Sequence, residues 1–174
     1  MQQRTLAAFA FSAALAALAG CATITGPSAV ATLAPTAGNT AAGTVRFVQS
    51  GGKVQVSGEV RGLKPNAEHG FHVHEKGDCS SPDGMSTGGH FNPTGAPHGN
   101  HDMGAHHTGD LPPLKANAQG VATFKFESST ISIGSGATDV VGKGLIVHRD
   151  PDDFKTQPTG NAGPRLACAV IARG

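Results

Sequence analysis

The feature that most restricts this chain is a side-chain alternation of period two, which recurs in short runs along its length. Val45 and Phe47 alternate with Thr44 and Arg46, Val54, Val56 and Val60 with polar or small residues, and Ala122, Phe124 and Phe126 with Thr123 and Lys125. Successive side chains of a strand point to opposite faces, so β-branched and Phe residues at every second position predict half-buried strands. Residues 30–33, 71–74, 114–117, 144–148 and 166–172 predict further strands. Ser50-Gly51-Gly52 and Asn117-Ala118-Gln119-Gly120 predict hairpin connections. No helical period of useful length follows the first twenty residues, while 25 Gly and 11 Pro supply turns at short intervals. About eight strands joined by turns predict a single all-β domain, a sandwich or a barrel. A chain of 174 residues suits one such domain with a sizeable core.

The N-terminus reads differently. Arg4 precedes a mostly apolar run over residues 6–18, and Leu18-Ala19-Gly20-Cys21 follows. The run is short of the ~20 residues that cross a bilayer as a helix, so it predicts an export signal. Leu-Ala-Gly-Cys resembles the bacterial lipoprotein cleavage box, which makes residues 1–20 a lipoprotein signal peptide and Cys21 the acylated N-terminus. Residues 21–29 are small and uncharged, a flexible tether to a domain over 30–174. With Cys21 assigned to lipid, Cys79 and Cys168 remain as a disulfide pair in an oxidising compartment. Ala22 after the cysteine, in place of Asp, favours delivery to the periplasmic face of the outer membrane over a free periplasmic form.

Charge excludes one class of partner. Thirteen Lys and Arg against twelve Asp and Glu leave a formal charge of +1, which offers no basic field for a phosphate backbone. Nucleic acid is therefore not an expected partner.

Two segments break the hairpin rhythm, residues 75–109 and 149–164. Long irregular stretches inside a compact domain are usually functional or disordered. The first holds Cys79 and five of the chain's nine His. His72 and His74 lie on a predicted strand at i and i+2, so both imidazoles face one way about 7 Å apart and can grip one ion. His148 ends another apolar strand and can add a third nitrogen. In the long loop His90, His98, His101, His106, His107 and Asp110 supply more imidazoles and a carboxylate. Imidazole suits copper and zinc, and a carboxylate completing a His-rich tetrahedron suits zinc. Spacing alone predicts one or two His-rich transition-metal sites.

The wording of the segments goes further. Gly70-Phe71-His72-Val73-His74-Glu75, Gly89-His90-Phe91-Asn92-Pro93, Gly109-Asp110-Leu111 and Gly160-Asn161-Ala162-Gly163-Pro164-Arg165-Leu166-Ala167-Cys168 occur in this order. They closely resemble the signatures of copper/zinc superoxide dismutase, here of the exported bacterial lipoprotein type, over about residues 28 to 174. The resemblance implies an eight-stranded Greek-key β-sandwich or barrel, immunoglobulin-like in layout, with two long functional loops. It implies one copper and one zinc ion per subunit, copper held by His72, His74, His90 and His148, and zinc by His90, His98, His107 and Asp110. His90 then bridges the ions. His107 is chosen over His106 because its three-residue step to Asp110 is the family's. Asp152 matches the carboxylate that links a copper-ligand His to a zinc-ligand His, and Arg165 the guanidinium beside copper. His69 matches a structural position, and His101 and His106 are expected to be solvated loop residues.

The implied activity is dismutation of superoxide to oxygen and hydrogen peroxide, with copper cycling, zinc structural and His90 carrying a proton. Its place is the cell envelope, protected against extracytoplasmic superoxide by an enzyme on an N-terminal lipid; monomer and homodimer both stay open. The 149–164 loop is shorter than in animal members, and Lys155 is its candidate for steering the anion. A lipid-anchored copper or zinc store on the same fold would need the imidazoles but has no use for Arg165 or a shared ligand.

Overall fold

The computed structural model describes residues 26–174. The expected signal segment, Cys21 and most of the tether lie outside the described residues. Ten strands occur among those described: β1 (Ser28–Pro35), β2 (Ala42–Ser50), β3 (Lys53–Arg61), β4 (Glu68–His69), β5 (Phe71–His74), β6 (Leu114–Lys115), β7 (Ala122–Ser128), β8 (Gly144–His148), β9 (Arg165–Val170) and β10 (Ala172–Arg173). One short 3-10 turn, Met85–Thr87, is the helical element.

Eight strands form one antiparallel sheet in the order β5-β8-β9-β1-β2-β3-β7, with β10 beside β1, while β4 and β6 make a separate pair. The sheet curls at β1, which pairs β2 from Ser28 to Leu33 and then β9 through Ala34 and Pro35. The chain crosses from β3 to β5 and again from β7 to β8, as the Greek-key expectation requires. Ser50 faces Lys53 across the expected two-residue turn at Gly51 and Gly52. The turn at 117–120 also forms, with Gly120 N donating to Asn117 O at 3.0 Å. It does not close a ladder between its own arms, because β6 pairs β4 and β7 pairs β3. Sequence marks where the chain reverses; the partner of each arm is decided by burial across the whole sheet.

Alternation places Ala31, Leu33, Val45, Phe47, Val54, Val56 and Val60 in the core. Burying each Val, Leu or Phe side chain contributes roughly 1.5–3 kcal/mol. Phe71 meets the edge of Phe124 with ring centroids 5.5 Å apart. Strands β5 and β8 are buried at every position, unlike β1, β2, β3 and β7. Phe71, Val73, Leu145 and Val147 belong to the core, so His72, His74, Ile146 and His148 occupy the opposite face and are covered from outside. The cover is the two long loops.

Candidate metal centre

The ladder fixes three imidazoles first. His72 pairs with Ile146 and His74 with Gly144, so both rings project from β5 onto the face where β8 ends in His148. A register irregularity between Val147 and His148 then sets Arg165 of β9 opposite His148. The loop after β5 is tied to the same strand by main-chain bonds. Val73 N donates to Gly109 O at 2.9 Å, Phe91 N to Val73 O at 2.8 Å and Gly109 N to Phe91 O at 2.9 Å. Each residue of this knot adjoins a candidate ligand: His72 and His74 flank Val73, His90 precedes Phe91, and Asp110 follows Gly109. Gly109 is required here, since a Cβ would collide with the Val73 carbonyl oxygen.

Two groups of buried ligand atoms result, His72, His74, His90 and His148, and His90, His98, His107 and Asp110. In the first, the His72 and His90 ring centroids are 4.0 Å apart and those of His72 and His148 4.9 Å. In the second, His90, His98 and His107 lie 5.4 to 5.5 Å from one another. His90 belongs to both.

Hydrogen bonds select which nitrogen each ring leaves free. Nδ1 of His74 donates to Gly88 O at 2.9 Å and Nδ1 of His148 to Gly163 O at 3.1 Å. Nε2 of His72 donates to Asp152 Oδ2 at 2.7 Å, and Nε2 of His98 to Asp152 Oδ1 at 2.9 Å. Such partners fix the tautomer and orientation of a metal-binding imidazole. What remains is His72 Nδ1, His74 Nε2, His90 Nε2, His98 Nδ1 and His148 Nε2, all buried without a hydrogen-bond partner. Unpaired buried nitrogens are costly, and five in one place are accounted for by metal ions accepting their lone pairs. The four from the first group are an all-imidazole set that suits copper. In the second, His98 Nδ1 and His107 Nδ1 lie 3.1 and 3.5 Å from the Asp110 carboxylate, the three-nitrogen, one-oxygen set that suits zinc. The donors therefore fit both ions.

Electrostatics separate the groups. Burial pushes His72 down to about 4, and His74 and His148 well below the ordinary imidazole value, so these three rings are neutral near pH 7. For His98 burial acts downward too, but the Asp110 and Asp152 carboxylates beside its two ring nitrogens overcome it and raise this ring to about 9. Both carboxyls stay far below their usual range despite burial, held there by their histidine partners.

A cavity of about 450 Å³ reaches the first group, lined by His74, His90, His148 and Arg165, with Thr36 and Asn39 at its wall. Arg165 Nη1 donates to Gly84 O at 2.7 Å and to Thr87 Oγ1 at 2.6 Å, and Nη2 to Gly88 O at 2.7 Å. Gly88 O thus accepts from both Arg165 and His74. The segment carrying these acceptors is anchored by a disulfide between Cys79 and Cys168, with Cα atoms 5.9 Å apart.

The sequence model of copper/zinc superoxide dismutase matches residues 41–171. The chain belongs to the copper/zinc superoxide dismutase family. It is 44% identical over 136 residues to the Cu-Zn superoxide dismutase of Paramecium bursaria Chlorella virus 1, covering 74% of this chain and 71% of that one. It is likewise 44% identical over 136 residues to Cu-Zn superoxide dismutase 2 of Brassica juncea, covering 74% and 88%. A crystal structure of the clock protein EA4 superposes with a TM-score of 0.76 at 38% identity, over 85% of this chain and 96% of that one. As a copper/zinc superoxide dismutase the chain converts superoxide to oxygen and hydrogen peroxide, and copper and zinc are its metals.

Beyond the two groups, His69 is buried and its Nδ1 donates to His148 O at 2.9 Å, bracing a strand end. The expectation of solvated His101 and His106 is corrected: both are half-buried, His106 Nδ1 donating to His107 O at 2.8 Å and His101 lying against Phe154. Lys155 is exposed and does not line the cavity. Sequence reasoning missed Thr87, which holds Arg165, and Gln157, which donates to and accepts from the His98 backbone at 2.9 Å. Neither carries a motif; only the fold brings them in.

Proposed function

We propose that His72, His74, His90 and His148 hold copper, that His90, His98, His107 and Asp110 hold zinc, and that His90 is shared. The observation that carries this reading is the convergence of four partnerless imidazole nitrogens, three of them on rings that line a cavity which also holds a fixed guanidinium. Copper, when bound, supplies the one-electron redox chemistry, and zinc supplies none. Arg165 attracts the superoxide anion and seats it; its guanidinium cannot lose its proton, and three acceptors keep it from swinging away. His90 Nε2 faces the same cavity and can hold a proton there and pass it to the reduced oxygen species. Asp152 keeps His72 and His98 in fixed orientation with one oxygen each, and Phe154 N donates to its Oδ1 at 2.7 Å. Gly160 leaves room for this pair, since a Cβ there would collide with Asp152 Oδ1 and His98 Nε2.

The same reading places the enzyme in the cell envelope as a lipoprotein, with residues 1–20 removed, Cys21 acylated, residues 21–29 as tether and a domain over 30–174, protecting against extracytoplasmic superoxide. The Leu-Ala-Gly-Cys box and the disulfide, a bond of oxidising compartments, support it. Anomalous scattering at the copper and zinc edges tests the ligand sets: two distinct ions sharing His90 are expected, and a single kind of ion, or a ring at 90 bound to neither, overturns them. Fractionation after labelling with a palmitate analogue tests the export reading. Label on the intact chain and none on Cys21→Ser is expected; an unlabelled, soluble intact chain overturns it.

A further inference from the structure

His101 is an imidazole of the long loop that the dismutase chemistry leaves without a role; its Nε2 lies against the exposed Asp102 carboxylate and its Nδ1 is buried with no partner. It lines a second cavity, of about 470 Å³, between its own loop and the end of β7. The two cavities differ in charge. The first is lined by both Arg165 and Asp83; the second is lined by His101, Asp102, Asp110 and Glu127 with the hydroxyl residues Ser129 and Thr130, and no lysine or arginine is among its lining residues. They also reach different groups. His74 and His148 line the first, whereas Asp110, itself buried among the zinc-binding side chains, belongs to the wall of the second.

We propose that this second cavity is the route by which zinc reaches and leaves its site, and that His101 with Asp102 forms the outer position where the cation first binds. The proposal rests on the assignment of zinc to His90, His98, His107 and Asp110. Nε2 of His101 and Oδ2 of Asp102 are 3.1 Å apart. Two neighbouring ligands on a tetrahedral zinc ion, with bonds of 2.0 to 2.2 Å, are separated by about 3.3 Å. The two groups now contact each other directly, and an ion arriving from the exposed carboxylate side would replace that contact with little change in their spacing. Glu127 adds a second carboxylate at the same cavity; its bond to Lys53, 2.9 Å in an exposed bridge, is weak enough to yield to a divalent ion. Asp110, in the wall of the same cavity, has its carboxylate 3.1 Å from His98 Nδ1, so it joins the outer position to the inner group. The first cavity is a poorer alternative, because its fixed guanidinium offsets the Asp83 carboxylate there and none of His98, His107 and Asp110 is in its wall.

The experiment uses metal-free, disulfide-intact protein and Co²⁺ as the probe, followed by stopped-flow absorption as the tetrahedral cobalt spectrum develops. In the double variant His101→Ala, Asp102→Asn the association rate is expected to fall about five- to tenfold, a loss of local cation attraction, with final spectrum and stoichiometry unchanged. A plug at the rim, Ser129→Trp, is expected to slow both association and chelator-driven loss by the same factor, leaving affinity unaltered. Association of Cu²⁺ with the zinc-loaded protein stays at the wild-type rate in both. A normal cobalt spectrum forming at the wild-type rate in both variants overturns the route alone. Equal slowing of Co²⁺ and Cu²⁺ also overturns it. No tetrahedral spectrum in the wild type removes the zinc ligand set, and the route with it.

Discussion

The copper group and the zinc group share a ring but are built by different means. His72, His74 and His148 stand on strands whose register is set by a buried sheet, and they are neutral before any ion arrives. His98, His107 and Asp110 stand on a loop, held by the main-chain knot at Val73, Phe91 and Gly109 and by Asp152, and His98 keeps its proton. A sheet can present ligands without help from the metal, whereas a loop gains much of its order from the ion it surrounds. On the proposed assignment, copper at the first group is an addition to a finished structure, and zinc at the second completes one.

The largest effect that can break this contrast is on activity. Removing one strand-borne ligand with His148→Ala should abolish stoichiometric copper binding and bring superoxide consumption to background while zinc stays; retained redox-active copper would refute the ligand set. Arg165→Ala should leave both metals in place and lower kcat/KM about ten- to a hundredfold, since a unit charge about 4 Å from an anion contributes about 1 to 4 kcal/mol. Its rate should also lose most of its dependence on ionic strength, checked by salt titration.

Stability comes next. Reducing the disulfide, which spans 89 residues, should lower stability by roughly 4 to 5 kcal/mol and free the segment that holds Arg165, seen as a lower melting temperature. Removing zinc from protein saturated a thousandfold above its Kd should cost about 4 kcal/mol. For a domain of this size that is a fall of about 10 °C in calorimetry. Copper at the same excess over its Kd stabilises equally, so the distinction lies in local order: zinc removal should speed amide exchange in the loop carrying His98 and His107, and copper removal should leave it unchanged; equal exchange would erase the distinction between a finished and a completed site.

The smallest effect is in protons. His98 is raised from 6.5 to about 9 in the metal-free domain, so zinc binding near pH 7 should release about one proton from it, while copper displaces none from His72, already near 4. The stability that the raised His98 gives the metal-free domain is complete below pH 6.5 and fades as pH climbs through 9. The lowered His72 acts in the other window, since the unfolded chain binds its proton more readily, and stability falls as pH drops from 6.5 towards 4. Calorimetry in buffers of different ionisation enthalpy reads the first, and acid melts of the metal-free protein the second.

The same contrast explains what could be read from sequence. His72 and His74 announce themselves because a strand's period is two, and the core of β1, β2, β3 and β7 follows from the same rule. The loop ligands have no period; their grouping was legible through resemblance to a family's wording, and the spacing alone left six candidate side chains unsorted between His90 and Asp110. Strand β4, at two residues, is too short to carry any alternation. The arms of the 117–120 turn went to separate partners because the curled sheet, not the turn, decides pairing. The supports of the site, Thr87 beneath Arg165 and Gln157 beside His98, act through single hydrogen bonds between distant segments, and no local pattern encodes those.

The knot at Val73, Phe91 and Gly109 is written entirely in peptide groups. No ligand side chain takes part in it, so any of them can be exchanged without untying the crossing that brings the neighbouring positions together. A lineage that abandoned one metal would still inherit the junction, ready to be refitted with a different set of donors.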